Sequence, residues 1–277
     1  MRIRIDHLTQ YDYAPPARSI IQILRMTPVS DARQTISDWR IDVDCDARLS
    51  PFTDAFGNPC HTLSIDRPVS RLRIETAGQV DTWPSSGAVA GTAEPLPEAV
   101  FLRTTPLTAA DAAIRAFALD LTAGATDPLE KPHRLLAGIW REIRFDTGAT
   151  STHTDAATAF ADRRGVCQDL AQIFIAAARA LGVPARYVSG HLLRRDGTDA
   201  QEAAHAWAEA HVAGLGWVSF DPANGISADE HYVRVAIGLD YRDAAPVSGA
   251  RYGGGAETLA VGLRVREHHR QMQGHSQ

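Results

Sequence analysis

Two hydrophobic periodicities divide this chain, and together they narrow the folds that it can adopt. Over residues 1–80, apolar residues recur at every second position, as they do at 39, 41, 43 and 45. Over residues 108–182 they recur at the three- and four-residue spacing of amphipathic helices. A period of two predicts strands with one buried face, so the N-terminal part is predicted to be an antiparallel β domain. The change of period predicts an α+β protein built of two parts.

The boundary between the two parts falls in a stretch rich in Pro, Gly, Ser and Ala, which covers residues 81–107 and is typical of an extended connector. We therefore place the N-terminal β domain at residues 1–100 and the second domain at 101–257. A final strand pattern over 258–266 is predicted to rejoin the β domain. The polar tail, residues 267–277, is predicted to be disordered.

The second domain is predicted to hold helices first and strands afterwards. The helices are predicted behind a weak capping box of Thr108 and Asp111, over 132–144, behind a Thr154 cap, and from Cys167 to a Gly182 cap. The strands are predicted over 185–193, 204–212 and 217–220. Residues 223–257 have no clear period and are predicted to be loop.

Composition excludes several classes of partner. The net charge is -5, so no positive field favours nucleic acid or anionic lipid. No apolar run approaches the ~20 residues that span a bilayer, and the first residues lack the apolar region of a secretory signal. The three cysteines are an odd number in a long chain, which disfavours a disulfide framework. We expect a cytoplasmic protein with no nucleic-acid or membrane partner.

Cys167 occupies a position that suits reactive chemistry. It begins a predicted helix after Gly165 and Val166, so its sulfur lies near the unsatisfied N–H groups and the positive end of that helix. This setting favours the thiolate, which is the nucleophilic form of cysteine. A free cysteine is also commonly a small buried hydrophobe, so Cys167 alone fits both interpretations. Cys45 continues the apolar alternation of its strand and Cys60 lies beside a turn, so both are interpreted as structural.

A histidine and an aspartate follow in two strands that are predicted to pair. His205 lies 38 residues after Cys167, and Asp221 ends the next strand, where Pro222 stops further pairing. Alone, a strand histidine is more often structural, and a strand-end aspartate more often forms a turn or caps a helix. In antiparallel register, however, Asp221 approaches His205. The three residues then fit the roles of nucleophile, base and orienting carboxylate.

Several longer motifs resemble those of bacterial transglutaminase-like proteins. In the second domain they are R-G-V-C-Q-D-L-A at 164–171, L-G-V-P-A-R-Y-V-S-G at 181–190, H-A-W at 205–207 and G-W-V-S-F-D-P at 216–222. In the first domain, Y-D-Y at 11–13 and D-A-F-G-N at 54–58 are similar to the β domain that precedes the core in that family. The resemblance spans most of the chain, and the core motifs follow the family's order.

The resemblance implies a papain-like α+β core with a Cys-His-Asp triad at Cys167, His205 and Asp221. It implies chemistry through an acyl-thioenzyme, because family members are transglutaminases, peptidases or amide hydrolases. The chain departs from the family pattern at Leu170 and Gln172, where Phe and His are usual; these positions are expected to affect substrate preference rather than the triad. No acidic calcium loop of the form D-x-D-x-D-G occurs. We therefore expect no metal and no cofactor.

No Cys-x-x-Cys pair occurs, which disfavours a structural zinc site. Trp207 shares the inferred face of His205, so it either lines the acyl-substrate groove or fills the interface between strands and helix.

The sequence as a whole predicts a cysteine-dependent enzyme that acts on the amide bonds of a peptide or protein. A peptidase or amide hydrolase is preferred, and transamidation is the variant reaction. The alternative is an inactive binding or scaffold protein that keeps the same shape. The oligomeric state stays open.

Overall fold

The computed structural model describes residues 1–148 and 150–268, and within them the chain folds into two large antiparallel sheets, one of which carries the helices, and one short two-stranded parallel sheet. This architecture confirms the predicted α+β class with an N-terminal β domain. The tail predicted to be disordered lies outside the described residues from position 269 onward. In the part of the chain that is described, no helix has both the length and the apolar character needed to cross a bilayer.

The N-terminal β domain is built around one long strand. Its first five strands are β1 (Arg2–Leu24), β2 (Gln34–Val43), β3 (Arg48–Thr53), β4 (Pro59–Ile65) and β5 (Val69–Thr82). β1 pairs with β5 along its first half and with β4 along its second half. Ile3, Ile5 and Ile20 on β1 are buried, because alternate side chains of the strand point into the domain.

The connector and the helices lead to the second sheet. The connector adds a short strand, β6 (Ala88–Val89), to that sheet. The elements that follow are α1 (Ala112–Leu121), α2 (Glu130–Glu142), β7 (Arg144–Phe145), α3 (Ala156–Asp162), β8 (Arg164–Gly165) and α4 (Cys167–Ala180). α4 is the central helix: Leu170, Ile173 and Phe174 are buried against the neighbouring helices and the sheet.

The second sheet is antiparallel throughout. Its later strands are β9 (Ala185–Leu192), β11 (His205–Val212), β12 (Gly216–Phe220) and β13 (Tyr232–Gly238), while β10 (Ala200–Gln201) pairs outside this sheet. The strand order is β13-β9-β11-β12-β6. α4 packs against β11 and β9, and its first residue, Cys167, lies near His205 at the start of β11.

The segment from 223 to 257 was predicted to be loop, and that prediction is wrong. It contains β13, the short helix α5 (Tyr241–Ala244) and the strand β14 (Val247–Gly253). Val233, Ala236 and Ile237 on β13 are all buried, because the strand is covered on both faces. Burial on both faces removes the alternation that the prediction relied on.

The last strand, β15 (Ala256–Glu267), covers the residues expected to rejoin the β domain. It pairs with β1 from Ile3 to Ala14. Two predicted caps are corrected. α1 is capped by Asp111 rather than Thr108, and α3 by Asp155 rather than Thr154. In both helices the carboxylate accepts from the backbone N–H three residues later, as a side-chain N-cap does.

A buried ion network fastens the second sheet to the β domain. Glu209 on β11 is fully buried and accepts from the Nε of Arg186 at 2.6 Å and from the Nε of Arg234 at 3.0 Å. Arg33, from the β domain, lies 4.0 Å from the same carboxylate and donates to Ser219. Burial alone would raise the pKa of Glu209, but Arg234 and the other arginines outweigh burial and lower it to about 2.

We predict that Glu209→Gln lowers the free energy of unfolding by about 3–5 kcal/mol, because it leaves buried arginines without their counter-charge. The carboxylate's contribution is present above its unfolded pKa of 4.5 and is lost as the pH falls toward 2. Urea denaturation between pH 7 and pH 3 measures both effects. The control is Glu75→Gln, a substitution at an exposed position, which should change the free energy of unfolding by less than about 0.5 kcal/mol. Equal effects of the two substitutions would contradict this account of the network.

Candidate active site

Cys167 is the first residue of α4, as the sequence predicted. Its side chain is half-buried and lies against the apolar cluster beneath the helix. The N–H groups at a helix start have no intrahelical acceptor. The nucleophile candidate therefore lies beside the amide groups of Cys167 and Gln168.

Asp169 fixes the turn that presents Cys167. Its Oδ2 accepts from the backbone N–H of Val166 at 2.8 Å and from the hydroxyl of Thr150 at 2.6 Å. A Cβ on Gly165 would come within 2.7 Å of the Cβ of Asp169, so only glycine fits there. Asp169 is fully buried, and burial raises its pKa. The carboxylate thus holds the residues on both sides of the helix start.

His205 is the first residue of β11, and its ring has two polar neighbours. Nε2 lies 2.6 Å from Oδ2 of Asp221. The thiol of Cys167 is the other neighbour, close enough to the ring to raise its pKa. Because Nε2 is engaged by Asp221, Nδ1 is the nitrogen left to face the sulfur. The side chain of His205 is only 12 % exposed, so this arrangement is shielded from water.

Asp221 is completely buried and fully hydrogen-bonded. It lies one residue beyond the pair Ala208–Phe220 of the β11–β12 ladder, which carries it toward His205. Oδ2 accepts from His205 at 2.6 Å. It also accepts from the hydroxyl of Tyr232 and from the Nδ2 of Asn224, both at 2.7 Å. Oδ1 accepts from the backbone N–H groups of Ala223 and Asn224. The carboxylate can therefore not turn away from the imidazole without losing several bonds.

The electrostatics of the site favour a charged imidazole. Burial by itself would lower the pKa of His205, but the attraction of Asp221 and then of Cys167 outweighs it and raises the pKa to about 10. Burial would raise the pKa of Asp221, and the attraction of His205 reverses that effect, so this pKa is lowered. An imidazolium between a carboxylate and a sulfur is the arrangement that stabilises a thiolate.

The other two cysteines lie in different surroundings. Burial raises the pKa of Cys60 to about 11, and burial also raises that of Cys45. Cys60 donates to the carbonyl of Asn58 at 3.3 Å. Cys45 packs half-buried against the apolar core of the β domain. Both therefore occupy structural positions, as the sequence suggested.

The prediction that Trp207 lines a substrate groove is corrected. Trp207 is fully buried and packs beneath His205, with the ring centroids 6.1 Å apart, and against Tyr232. A side chain without exposed surface cannot touch a substrate. Leu170 and Gln172, at which the chain departs from the family pattern, are also buried. Gln172 donates to the carbonyl of Thr154 at 3.3 Å.

Two residues around Asp221 were missed by sequence reasoning. Asn224 belongs to the turn Asp221-Pro222-Ala223-Asn224, and that turn signal could have revealed it. Tyr232 lies on β13, in the segment predicted to be loop. No local pattern links Tyr232 to Asp221, since the contact follows from the way β13 joins the sheet.

One group of potential cation ligands occurs in the described part of the chain. Asp229, Glu230 and His231 bring their ligand atoms within 4.8 Å of one another. Asp229 already accepts from Arg195 and from Nδ1 of His231. The three are successive residues of a half-buried loop, and their carboxylate charge is balanced by a neighbouring arginine.

Comparison with known families matches both parts of the chain. The family model described as the transglutaminase-like superfamily matches residues 115–222. The model of the bacterial transglutaminase-like N-terminal region matches residues 3–81. The first match contains Cys167, His205 and Asp221.

Relatives extend the similarity over nearly the whole length. The uncharacterized protein ML0607 of Mycobacterium leprae is 30% identical over 279 residues, which cover 95% of this chain and 98% of that protein. The uncharacterized protein Rv2569c of Mycobacterium tuberculosis is 29% identical over 276 residues, with 91% and 88% covered. Among solved structures, a candidate cysteine protease from Cytophaga hutchinsonii has a TM-score of 0.75 at 20% identity and covers 96% of this chain and 98% of its own. That last similarity concerns the fold.

We predict that the His205 ring titrates near pH 10 and that Asp221→Asn lowers this pKa, because burial then acts against a weaker attraction. Nuclear magnetic resonance of the histidine ring signals over a pH series measures both values. His191, whose pKa burial lowers to about 3, should stay neutral through the same series and serves as the internal reference. A wild-type midpoint near 6.5 would contradict the proposed charge state of the site.

Proposed function

Since the chain belongs to the transglutaminase-like superfamily, we propose that it is a cysteine-dependent enzyme that attacks amide bonds of peptides or proteins. The preferred reaction is hydrolysis through an acyl-thioenzyme. The observation that carries the proposal is the 2.6 Å contact between His205 and Asp221, with the Cys167 thiol as the other partner of the ring.

The first half of the proposed reaction forms the acyl-thioenzyme. The thiol proton already lies on Nδ1 of His205 in the resting site, and the Cys167 thiolate attacks the amide carbonyl carbon. The new C–S bond leaves a negative charge on the carbonyl oxygen, for which the N–H groups of Cys167 and Gln168 are the natural donors. His205 then gives its proton to the departing nitrogen, and the C–N bond breaks. The amine product leaves.

The second half releases the acyl group. His205 takes a proton from water, and the hydroxide oxygen attacks the thioester carbonyl. The C–S bond breaks, the acid leaves, and the Cys167 thiolate is restored beside the protonated ring of His205. Asp221 orients the ring and stabilises the imidazolium in both halves, without itself becoming protonated. In the transamidation variant, an amine replaces the water.

The proposal extends to the cellular location and the binding partners of the protein. We place it in the cytoplasm, because all three cysteines are free. The partner is a peptide or protein substrate, and neither nucleic acid nor membrane is required.

We predict that iodoacetamide labels Cys167 stoichiometrically near pH 6, where an ordinary thiol is protonated and slow. Cys45 in the same chain is the matched control, since its thiol is likewise half-buried and burial raises its pKa. His205→Ala should reduce the rate at Cys167 by about 10²-fold or more while the fold is kept. Mass spectrometry of tryptic peptides measures both sites together. Labelling of Cys167 no faster than that of Cys45 would favour the inactive scaffold instead.

We also predict how the acyl-enzyme partitions. p-Nitrophenyl acetate should acetylate Cys167 in a stoichiometric burst, because thioester formation needs only the thiolate and the oxyanion donors. Glycine amide added as a competing amine should leave free acetate as the main product, measured by mass spectrometry. Cys167→Ala is the control and should give no burst. Acetylated glycine amide as the main product would identify transamidation rather than hydrolysis.

A further inference from the structure

The strand β13 lies between the β domain and the candidate active site, and its side chains alternate between the two. Tyr232 points to Asp221, and its hydroxyl donates to Oδ2 of that carboxylate at 2.7 Å. Val233, the next residue, is fully buried in an apolar cluster that also contains Ile3 and Ile5 of the β domain. Successive side chains of a strand point to opposite faces. One strand therefore contacts both the carboxylate of the site and the core of the β domain.

β13 is the end strand of the second sheet, and amide side chains of the β domain bond its backbone. Gln34 donates from Nε2 to the carbonyl of Arg234 at 2.8 Å, and its Oε1 accepts from the N–H of the same residue at 2.9 Å. Asn58 bonds both backbone groups of Ile237 in the same way, at 2.8 and 2.9 Å. Buried backbone groups require such partners. The β domain thus completes the sheet at the strand that carries Tyr232.

Tyr232 lies midway between two contacts with the β domain. Gln34, on β2, bonds the backbone of Arg234, two residues after Tyr232. Thr82, on β5, donates its hydroxyl hydrogen to the carbonyl of Glu230, two residues before Tyr232. Gln34 and Thr82 are partners in the β2–β5 ladder, and both side chains are buried. The β domain therefore fixes the backbone on both sides of Tyr232.

The hydroxyl of Tyr232 matters most when His205 is neutral. In the proposed reaction His205 gives its proton to the departing amine, and the buried Asp221 then loses its counter-charge. Burial raises the pKa of Asp221, whereas the hydrogen bond from Tyr232 lowers it. Burial and the charge of Asp221 raise the pKa of Tyr232 far above its usual range, so its hydroxyl remains a donor throughout the neutral and acidic range.

The titratable side chains that face the His205–Asp221 pair in the described residues are Cys167 on α4 and Tyr232 on β13. In the acyl-thioenzyme the sulfur of Cys167 carries the acyl group and has no charge. Asp229, in the loop before β13, acts on Tyr232 and is itself paired with a neighbouring arginine. The pH dependence of deacylation therefore reports the proton affinity of the His205–Asp221 pair.

We propose that Tyr232 is a positioning residue that keeps Asp221 ionised and directed at His205 during deacylation, and that the β domain holds Tyr232 in this position through Gln34 and Thr82. The inference rests on the proposed function and adds to it a role for the β domain. Tyr232 acts through Asp221 rather than on the substrate.

The test is the pH dependence of steady-state p-nitrophenyl acetate hydrolysis, which follows deacylation once the burst is complete. Tyr232→Phe keeps the ring that packs against His205 and Trp207 and removes the hydroxyl. The carboxylate of Asp221 then loses a donor and becomes more basic, so the pair holds its proton up to a higher pH. The acid limb of the profile should therefore move to higher pH by about one unit, which is the effect of one hydrogen bond to a charged group.

Substitutions in the β domain test the second part of the proposal. Gln34→Leu and Thr82→Val remove the contacts with β13 and should move the acid limb in the same direction by a smaller amount. Thr82→Ser keeps the hydroxyl and should keep the wild-type limb. Gln22→Leu is the matched control, because Gln22 is a buried amide of the β domain that lies on β1 between β4 and β14. It should also keep the wild-type limb.

The outcomes separate this inference from the proposed function. An unmoved limb in Tyr232→Phe would overturn the role of Tyr232. An unmoved limb in Gln34→Leu and Thr82→Val, or an equal shift in Gln22→Leu, would overturn the role of the β domain; Thr82→Val decides this point if Gln34→Leu does not fold. Iodoacetamide should label Cys167 rapidly in every folded variant, because the imidazolium stays beside the sulfur. Slow labelling, or no burst, in the wild type would instead count against the proposed function.

Discussion

The buried carboxylate of Asp221 is the constraint on which the candidate site depends. An ionised carboxylate without exposed surface is stable only where donors and a positive charge surround it. Here five donors from His205, Tyr232, Ala223 and Asn224 meet it, and the imidazolium supplies the charge. The carboxylate thereby sets which nitrogen of His205 faces inward. The other nitrogen is left for Cys167.

The rest of the fold keeps that ring and the sulfur in place. β11 presents His205 at its start and the buried Glu209 four residues later, and the arginines around Glu209 come from three separate segments. On the other side, Asp169 and Gly165 hold the start of α4. The two halves of the site are therefore fixed by independent buried charges, one in the sheet and one beneath the helix.

The sequence predicted the elements whose patterns are local. The alternation of the β domain, the central helix and the β11–β12 hairpin were all visible, and hairpin register alone brought Asp221 near His205. Contacts between segments that are far apart in the sequence could not be predicted. Tyr232 reaches Asp221 because β13 pairs with β9 on the side away from β11. β13 is covered on both faces, so its sequence lacks the alternation of apolar and polar residues that marks a half-exposed strand. The alternation of β11 placed Trp207 on the same face as His205. It could not show whether that face is buried or open to a substrate, because β11 is covered on both faces.

The charge state of Cys167 in the resting protein is the most direct test of the central claim. Thiolates absorb ultraviolet light that thiols do not, so the absorbance difference between the wild type and Cys167→Ser counts thiolate over a pH series. The account predicts a thiolate absorbance in the wild type that is lost in His205→Ala, because the imidazolium is the charge that stabilises the thiolate. A difference that emerges only at alkaline pH, and equally in His205→Ala, would contradict the claim that His205 and Asp221 activate this sulfur.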